Sequence, residues 1–176
     1  KDKFKNNKLI NVINKNVLKH EINDNYDLVI SNLPYNISSQ VLVKLSIMDN
    51  APNEMILMFQ KEFATKLLEN RLNSINSIVK CFFKFKLEFH VSKNCYRPIP
   101  KIDSSVLKFE KLNKCLLKKN EIDNFIKFKR YLFSHKRKSL KNLLKKYEIN
   151  SNINLDIRAE RLELKMLIKI FREINF

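Results

Sequence analysis

The 176-residue chain contains no glycine and no tryptophan. At ordinary usage of about 7%, roughly a dozen glycines belong in a protein of this length. Their absence excludes a glycine-rich phosphate or nucleotide loop within these residues, since such loops need positive φ and close backbone approach. Cysteine is scarce: Cys81, Cys95 and Cys115 are odd in number, far apart and without a CxxC pair. They read as reduced thiols rather than a disulfide framework or a zinc site. His20, His90 and His135 are scattered, and each reads as structural or surface, so no metal site is expected. The longest apolar runs are about five residues, far short of the ~20 a spanning helix needs. No signal peptide is expected from these residues. Residue 1 falls in a charged, helix-like stretch without an initiator Met, so the natural start is expected upstream.

What is present is an ordinary supply of core and a large excess of positive charge. Hydrophobic residues make up 44% and charged residues 30%, a composition that folds, in one domain or one domain with a smaller appendage. The net charge of +17 and pI near 9.8 cost self-repulsion and point to a polyanionic partner. Nucleic acid fits better than a membrane surface, because the basic residues are spread over several elements rather than gathered on one amphipathic helix. Lys, Asn, Ile and Phe are abundant, as in coding from an AT-rich genome. A bacterial cytoplasm is the expected location, with an organelle of an AT-rich eukaryote as the alternative.

Residues 9–13 and 26–31 read as strands separated by a polar loop. From Ser38 the positions Val41, Leu42, Leu45 and Met48 follow helical spacing, with Ser38 or Ser39 as N-cap. Residues 55–59 read as a strand, and 62–72 as a helix with Phe63, Leu67 and Leu68 inward. Residues 78–91 read as one long strand or two, and 104–109 as another. Strands alternating with helices predict an α/β fold, a mainly parallel sheet covered by helices, and the later strands predict an antiparallel edge. Beyond about residue 115 the spacing is helical: Phe125, Phe128, Leu132; then Leu140, Leu143, Leu144, Tyr147; then Leu162, Met166, Ile170, Phe171. The expected division is residues 1–112 and a small helical unit over 113–176.

Three stretches carry chemistry. Asn32-Leu33-Pro34-Tyr35 ends the second strand. Adenine's amino nitrogen is a poor nucleophile, and a site helps by accepting both of its N–H groups. The Asn32 side-chain oxygen and the Pro34 carbonyl are candidate acceptors, and Tyr35 can stack on the base for ~1–3 kcal/mol. The same tetrad also reads as a strand-to-helix turn punctuated by proline. In Tyr96-Arg97-Pro98-Ile99-Pro100-Lys101-Ile102-Asp103 two prolines stiffen a loop that either presents Tyr96 as the opposite wall of a base sandwich or merely connects two strands. Lys136, Arg137 and Lys138, followed by Lys141, Lys145 and Lys146, read as the polar side of the helix whose apolar face is Leu140, Leu143, Leu144 and Tyr147. They form either a phosphate-binding surface or a solvated face.

These stretches line up in order with a known family. The chain resembles the KsgA-type rRNA adenine N6,N6-dimethyltransferases, whose Asn-Leu-Pro-Tyr-Asn-Ile-Ser matches residues 32–38. Gln-Lys-Glu-x-Ala matches 60–64. The family's proline loop matches 96–104, with Tyr for Phe and Ile for Val. Phe-Ser-x-Arg-Arg-Lys-x-Leu matches 133–140 with Lys136 in the first Arg place, and Arg-Ala-Glu-x-Leu matches 158–162. The resemblance implies a Rossmann-like methyltransferase sheet with a small C-terminal helical domain. It implies S-adenosylmethionine as cofactor, small-subunit rRNA as partner, a monomer, and no membrane association.

It further implies that Asn32 and Pro34 hold the target amino group while Tyr35 and Tyr96 pack on its ring. Asn32 also lies near the methionine part of the cofactor. Asn16 and Val17 would contact the cofactor's adenine, with Asn16 standing where the family has Asp; an uncharged acceptor makes the weaker bond. Lys136, Arg137, Lys138 and Lys141 would bind RNA. The family's glycine-rich loop and ribose-binding acid are expected upstream of residue 1, so these 176 residues alone are expected to be inactive. A resistance methyltransferase acting on large-subunit rRNA shares the tetrad, but Gln60-Lys61-Glu62, Asp103 and Arg158-Ala159-Glu160 favour the small-subunit family. A non-catalytic RNA-binding assembly or transcription factor of the same fold stays open as the alternative.

Overall fold

The computed structural model describes residues 7–150 and 152–176; the helix-like reading of the first residues lies outside them. Four strands form one sheet in the order β1-β2-β4-β3. β1 (Leu28–Asn32) and β2 (Glu54–Gln60) are parallel, with Asn32 opposite Met58. β4 (Ser104–Lys111) runs antiparallel to both β2 and β3 (Phe83–Val91). β1, β2 and β3 therefore point the same way, and their carboxyl ends meet the start of β4 at one end of the sheet. β3 and β4, with no helix between them, form the expected antiparallel pair, and β4 lies inside with β3 on the edge.

Alternation explains the register. In β2, Met55, Leu57 and Phe59 are fully buried while the residues between them are not, the period of two that a sheet with one packed face requires. Phe59 meets Phe109 of β4 edge to face at 6.2 Å. Helix α1 (Ser38–Ile47) returns from β1 to β2 and buries Val41, Leu42 and Leu45. Helix α2 (Lys61–Leu68) follows β2 directly.

Several expectations are corrected. Residues 9–13 form no strand: they are exposed and irregular, since apolar β-branched residues make a strand only where a neighbouring edge takes their N–H and C=O groups. Ser38 is not the N-cap of α1. Ile37 is, and the Ser38 hydroxyl instead donates to the Tyr35 carbonyl at 3.0 Å. The helix expected over 62–72 ends at Leu68. Residues 76–79 are a helical turn, α3 (Asn76–Val79), rather than the start of β3. Asn73 builds that turn, its side-chain oxygen accepting from the N–H groups of Ile75 and Asn76.

The C-terminal helices are α4 (Ile122–Ser134), α5 (Leu140–Leu143) and α6 (Leu164–Glu173). α5 is a single turn rather than a helix reaching Tyr147; the N–H groups of Leu140 and Lys141, unpaired within any helix start, are taken by the carbonyls of Ile157 and Leu155. Phe125 and Phe128 of α4 pack on Phe171 of α6 at 5.2 and 5.6 Å. Each such ring contributes about 1.5–3 kcal/mol by leaving water. The core is continuous from Leu42 and Phe59 through Val79 to Phe128 and Ile170. Main-chain bonds cross it, from Leu72 N–H to the Glu160 carbonyl and from Leu116 N–H to the Cys81 carbonyl. Lys129, buried on α4, donates to the Ser74 carbonyl at 2.5 Å. The chain manages without glycine: among the described residues only Asn175 has positive φ, at 46°, a conformation asparagine tolerates.

Candidate active site

The sheet is mixed rather than mainly parallel as expected, with one parallel and two antiparallel pairings. Beyond the carboxyl ends of its parallel strands β1 and β2, where α/β sheets bind ligands, four of the expected site residues gather. Asn32 is the last residue of β1 and is exposed. Among the described residues its side chain makes no hydrogen bond, so its amide oxygen is free to accept. Leu33 is buried and anchors the tetrad in the core. The Pro34 carbonyl accepts from Ile37 N–H at 3.2 Å, closing the turn into α1. A carbonyl has two lone pairs, which leaves Pro34 one for a second donor.

The two tyrosines are fixed by their phenols. The Tyr35 hydroxyl lies 2.9 Å from the Ser104 hydroxyl at the start of β4. The Tyr96 hydroxyl donates to the Met58 sulfur at 3.0 Å. Met58 is the direct β-sheet partner of Asn32, and neighbouring strands lie about 4.8 Å apart. Tyr96 is therefore held one strand away from Asn32, on the sheet face that Asn32 and Met58 share by register. Its loop is tied at both ends: Asp103 accepts from Lys93 N–H through its carboxylate and from Lys61 N–H through its carbonyl, each at 3.0 Å. The residues Lys61 and Asp103 thus act as struts for the loop.

Asn16 and Val17 sit apart from that group, on an irregular loop before β1. The Asn16 side-chain oxygen accepts from Leu18 N–H at 2.9 Å, and its carbonyl takes the N–H groups of Lys19 and His20. Among the described residues the Val17 N–H has no partner. A hollow of ≈350 Å³ runs from Val17 and His20 along β1 to Ser31 and Leu33, with Val41 and Leu45 of α1 as its floor. That volume lies at the small end of the ~300–1,000 Å³ range of small-molecule sites. It joins the Asn16 loop to the tetrad.

The basic residues are placed differently from expectation. Lys136, Arg137 and Lys138 do not lie on a helix face; they form the exposed turn between α4 and α5. The reason is α5's late start at Leu140 and the end of α4 at Ser134, where His135 Nδ1 lies 2.9 Å from the Tyr131 carbonyl. Lys141 is on α5, with Asp156 3.7 Å away and both side chains largely exposed, a pairing worth ~0–1 kcal/mol. Lys66, Arg71 and Arg158, the last noted in the sequence only as part of a motif, join Lys136 and Lys138 around a cleft of ≈460 Å³ between α2 and the end of α4, which Glu69 and Glu160 also line. Their separation along the chain hid the cluster. Among the described residues no group of three His, Cys, Asp or Glu could hold a metal, and no helix is long and apolar enough to cross a membrane.

The family model described as ribosomal RNA adenine dimethylase matches residues 1–175. The ribosomal RNA small subunit methyltransferase A of Ureaplasma parvum is 33% identical over 84% of this chain and 57% of its own length. That of Borreliella burgdorferi is 35% identical over 98% of this chain and 64% of its own. The chain thus spans somewhat over half the length of these curated relatives. Among solved structures, a dimethyladenosine transferase from Plasmodium falciparum superposes with a TM-score of 0.79, at 24% identity over 93% of this chain and 71% of that one. The 23S rRNA methyltransferase ErmE gives 0.72, at 17% identity over 99% of this chain and 76% of that one. Both share the Rossmann-like methyltransferase fold.

Proposed function

Because the chain belongs to the ribosomal RNA adenine dimethylase family, we propose that the protein dimethylates the N6 amino groups of two adjacent adenosines near the 3′ end of small-subunit rRNA during ribosome biogenesis. The observation that carries this reading is the convergence of Asn32, Pro34, Tyr35 and Tyr96 at one end of the sheet, through the Asn32–Met58 register and the Tyr96 and Tyr35 hydroxyl contacts.

In this reading the Asn32 amide oxygen and the free lone pair of the Pro34 carbonyl accept the two N–H groups of adenine. This draws the nitrogen's lone pair out of the ring system. Tyr35 and Tyr96 hold the ring from either side, each stack worth ~1–3 kcal/mol. No strong general base is needed, since the methylated amine is acidic and releases its proton to water. The apolar hollow between Val17 and Leu33 fits the adenine of S-adenosylmethionine, with Val17 N–H as a donor and Asn16 as an acceptor with one lone pair left. The cofactor supplies the methyl group, and Asn32 borders both it and the target base. Residues 1–112 carry this chemistry, and residues 113–176 dock the rRNA through Lys136, Arg137, Lys138 and Lys141.

The test is methyl transfer to immature small ribosomal subunits by the full-length protein. Asn32→Ala is expected to lower the rate by about 10²-fold, as loss of one aligned polar contact to a reacting group does. An unchanged rate, or wild-type protein that binds subunits without binding cofactor, would sink the reading; the second result favours a non-catalytic assembly factor.

A further inference from the structure

The irregular loop that holds Asn16 and Val17 has no strand or helix of its own over residues 20–26, yet its carbonyls are satisfied from one direction. Lys44, on the third turn of α1, points its ammonium into the loop. It donates to the carbonyls of Val17 at 2.9 Å, Leu18 at 3.0 Å and His20 at 2.5 Å. Just beyond the end of α1, the Asn50 amide donates to the carbonyls of Ile22 at 2.9 Å and Asp24 at 2.6 Å. Five loop carbonyls are thus held by two side chains from a single helix and its exit.

A lysine suits the first three for a plain reason. Residues 16–20 make one helical turn, in which the Asn16 carbonyl accepts from Lys19 and His20. The carbonyls that follow have no partner within the turn, and a cation at that negative end satisfies them. An ammonium has three N–H groups, and three carbonyls take all three. Lys44 therefore has no donor left for a ligand, and its work is to fix the loop.

α1 begins at Ser38, with two residues between it and the Asn32–Tyr35 tetrad, so the same helix starts beside the target-base site and grips the Asn16–Val17 loop from its last turn. We propose that Lys44 is a positioning residue: it holds the Asn16–Val17 turn at a set distance from the tetrad and thereby determines affinity for the methyl donor. The proposal rests on the reading that this turn faces the donor's adenine.

Full-length Lys44→Met and Lys44→Arg variants test it by three measurements: amide hydrogen exchange over residues 16–22 without cofactor, calorimetric binding of S-adenosylhomocysteine, and KM for immature subunits. In Lys44→Met, exchange over 16–22 quickens and the dissociation constant rises about tenfold, the worth of one charge-assisted bond, while KM for subunits stays within about twofold. Lys44→Arg, which keeps the charge and several donors, recovers part of the binding loss, and it carries the comparison alone should Lys44→Met fail to fold. Unchanged exchange and unchanged binding would overturn the proposal. Faster exchange with unchanged binding would also overturn it, by showing that the turn does not face the donor. Wild-type protein that binds no S-adenosylhomocysteine would instead remove the functional reading beneath it.

Discussion

The tether between Tyr35 and Ser104 allows a quantitative test of the site. The two hydroxyls lie 2.9 Å apart, with Ser104 fully buried and Tyr35 only part-buried. The burial difference predicts unequal single-mutant costs. Tyr35→Phe strands a buried serine hydroxyl without a partner, which costs about 1–3 kcal/mol. Ser104→Ala leaves the tyrosine hydroxyl able to turn toward water, so only the net worth of the bond is lost, about 0.5–1.5 kcal/mol. The double variant removes both groups and costs less than the sum, by about 1 kcal/mol. Urea unfolding of the four proteins at 25 °C measures this coupling. Methyl transfer measures the functional half: Tyr35→Phe keeps a stacking ring and loses its tether, whereas Tyr35→Ala also loses ~1–3 kcal/mol of stacking, about 5- to 150-fold in kcat/KM. Costs that add within ~0.3 kcal/mol would show that the bond does not hold the ring, and the assignment of Tyr35 to the base site would lose its geometric support.

Burial pushes the Lys129 ammonium down to about 8 from an ordinary 10.5. Between those values the unfolded chain binds more protons than the folded one, so stability rises with pH across that window. The stability of wild type relative to Lys129→Met should climb from pH 8 to pH 10.5 in chemical denaturation, and a flat difference would contradict the burial. Asn16→Asp should tighten S-adenosylhomocysteine binding about fivefold, since a charged acceptor makes roughly twice as strong a bond; unchanged calorimetric affinity would remove Asn16 from the cofactor site. Replacing Lys136, Arg137 and Lys138 together by Ala should flatten the dependence of log K on log salt for subunit binding by about 2–3, one counterion per lost phosphate contact. An unaltered slope would make that turn a solvated surface only.

Much of this was legible in the residues. The tetrad, the proline loop and the continuous apolar run of β2 are local signals, each contained within ten residues, and the structure keeps them where the sequence places them. What the sequence hid was set by distant partners. Residues 9–13 have strand composition but no paired edge. Residues 76–82 mix Ile78, Val79, Cys81 and Phe82 with polar residues at no clear period, and a short buried run does not distinguish helix from strand; the Asn73 side chain decides it. Nothing local in the sequence marks Lys129 or Lys44, since lysine is rarely buried. Their acceptors are main-chain carbonyls 55 and 24–27 positions away, which leave no mark on side-chain identity. The cleft shared by Lys66, Arg71 and Arg158 is likewise assembled only by packing α2 against the end of α4.

The continuous core has a consequence for target choice. The tetrad and the Lys136–Lys138 turn belong to one body, bound together by the Lys129–Ser74 contact and the Leu72–Glu160 main-chain bond. If the proposed rRNA methylation holds, the spacing between the two would serve as a ruler. An RNA backbone seated on the basic turn would then set, by distance along the strand, which nucleotide reaches Asn32, leaving the pocket only the choice of base.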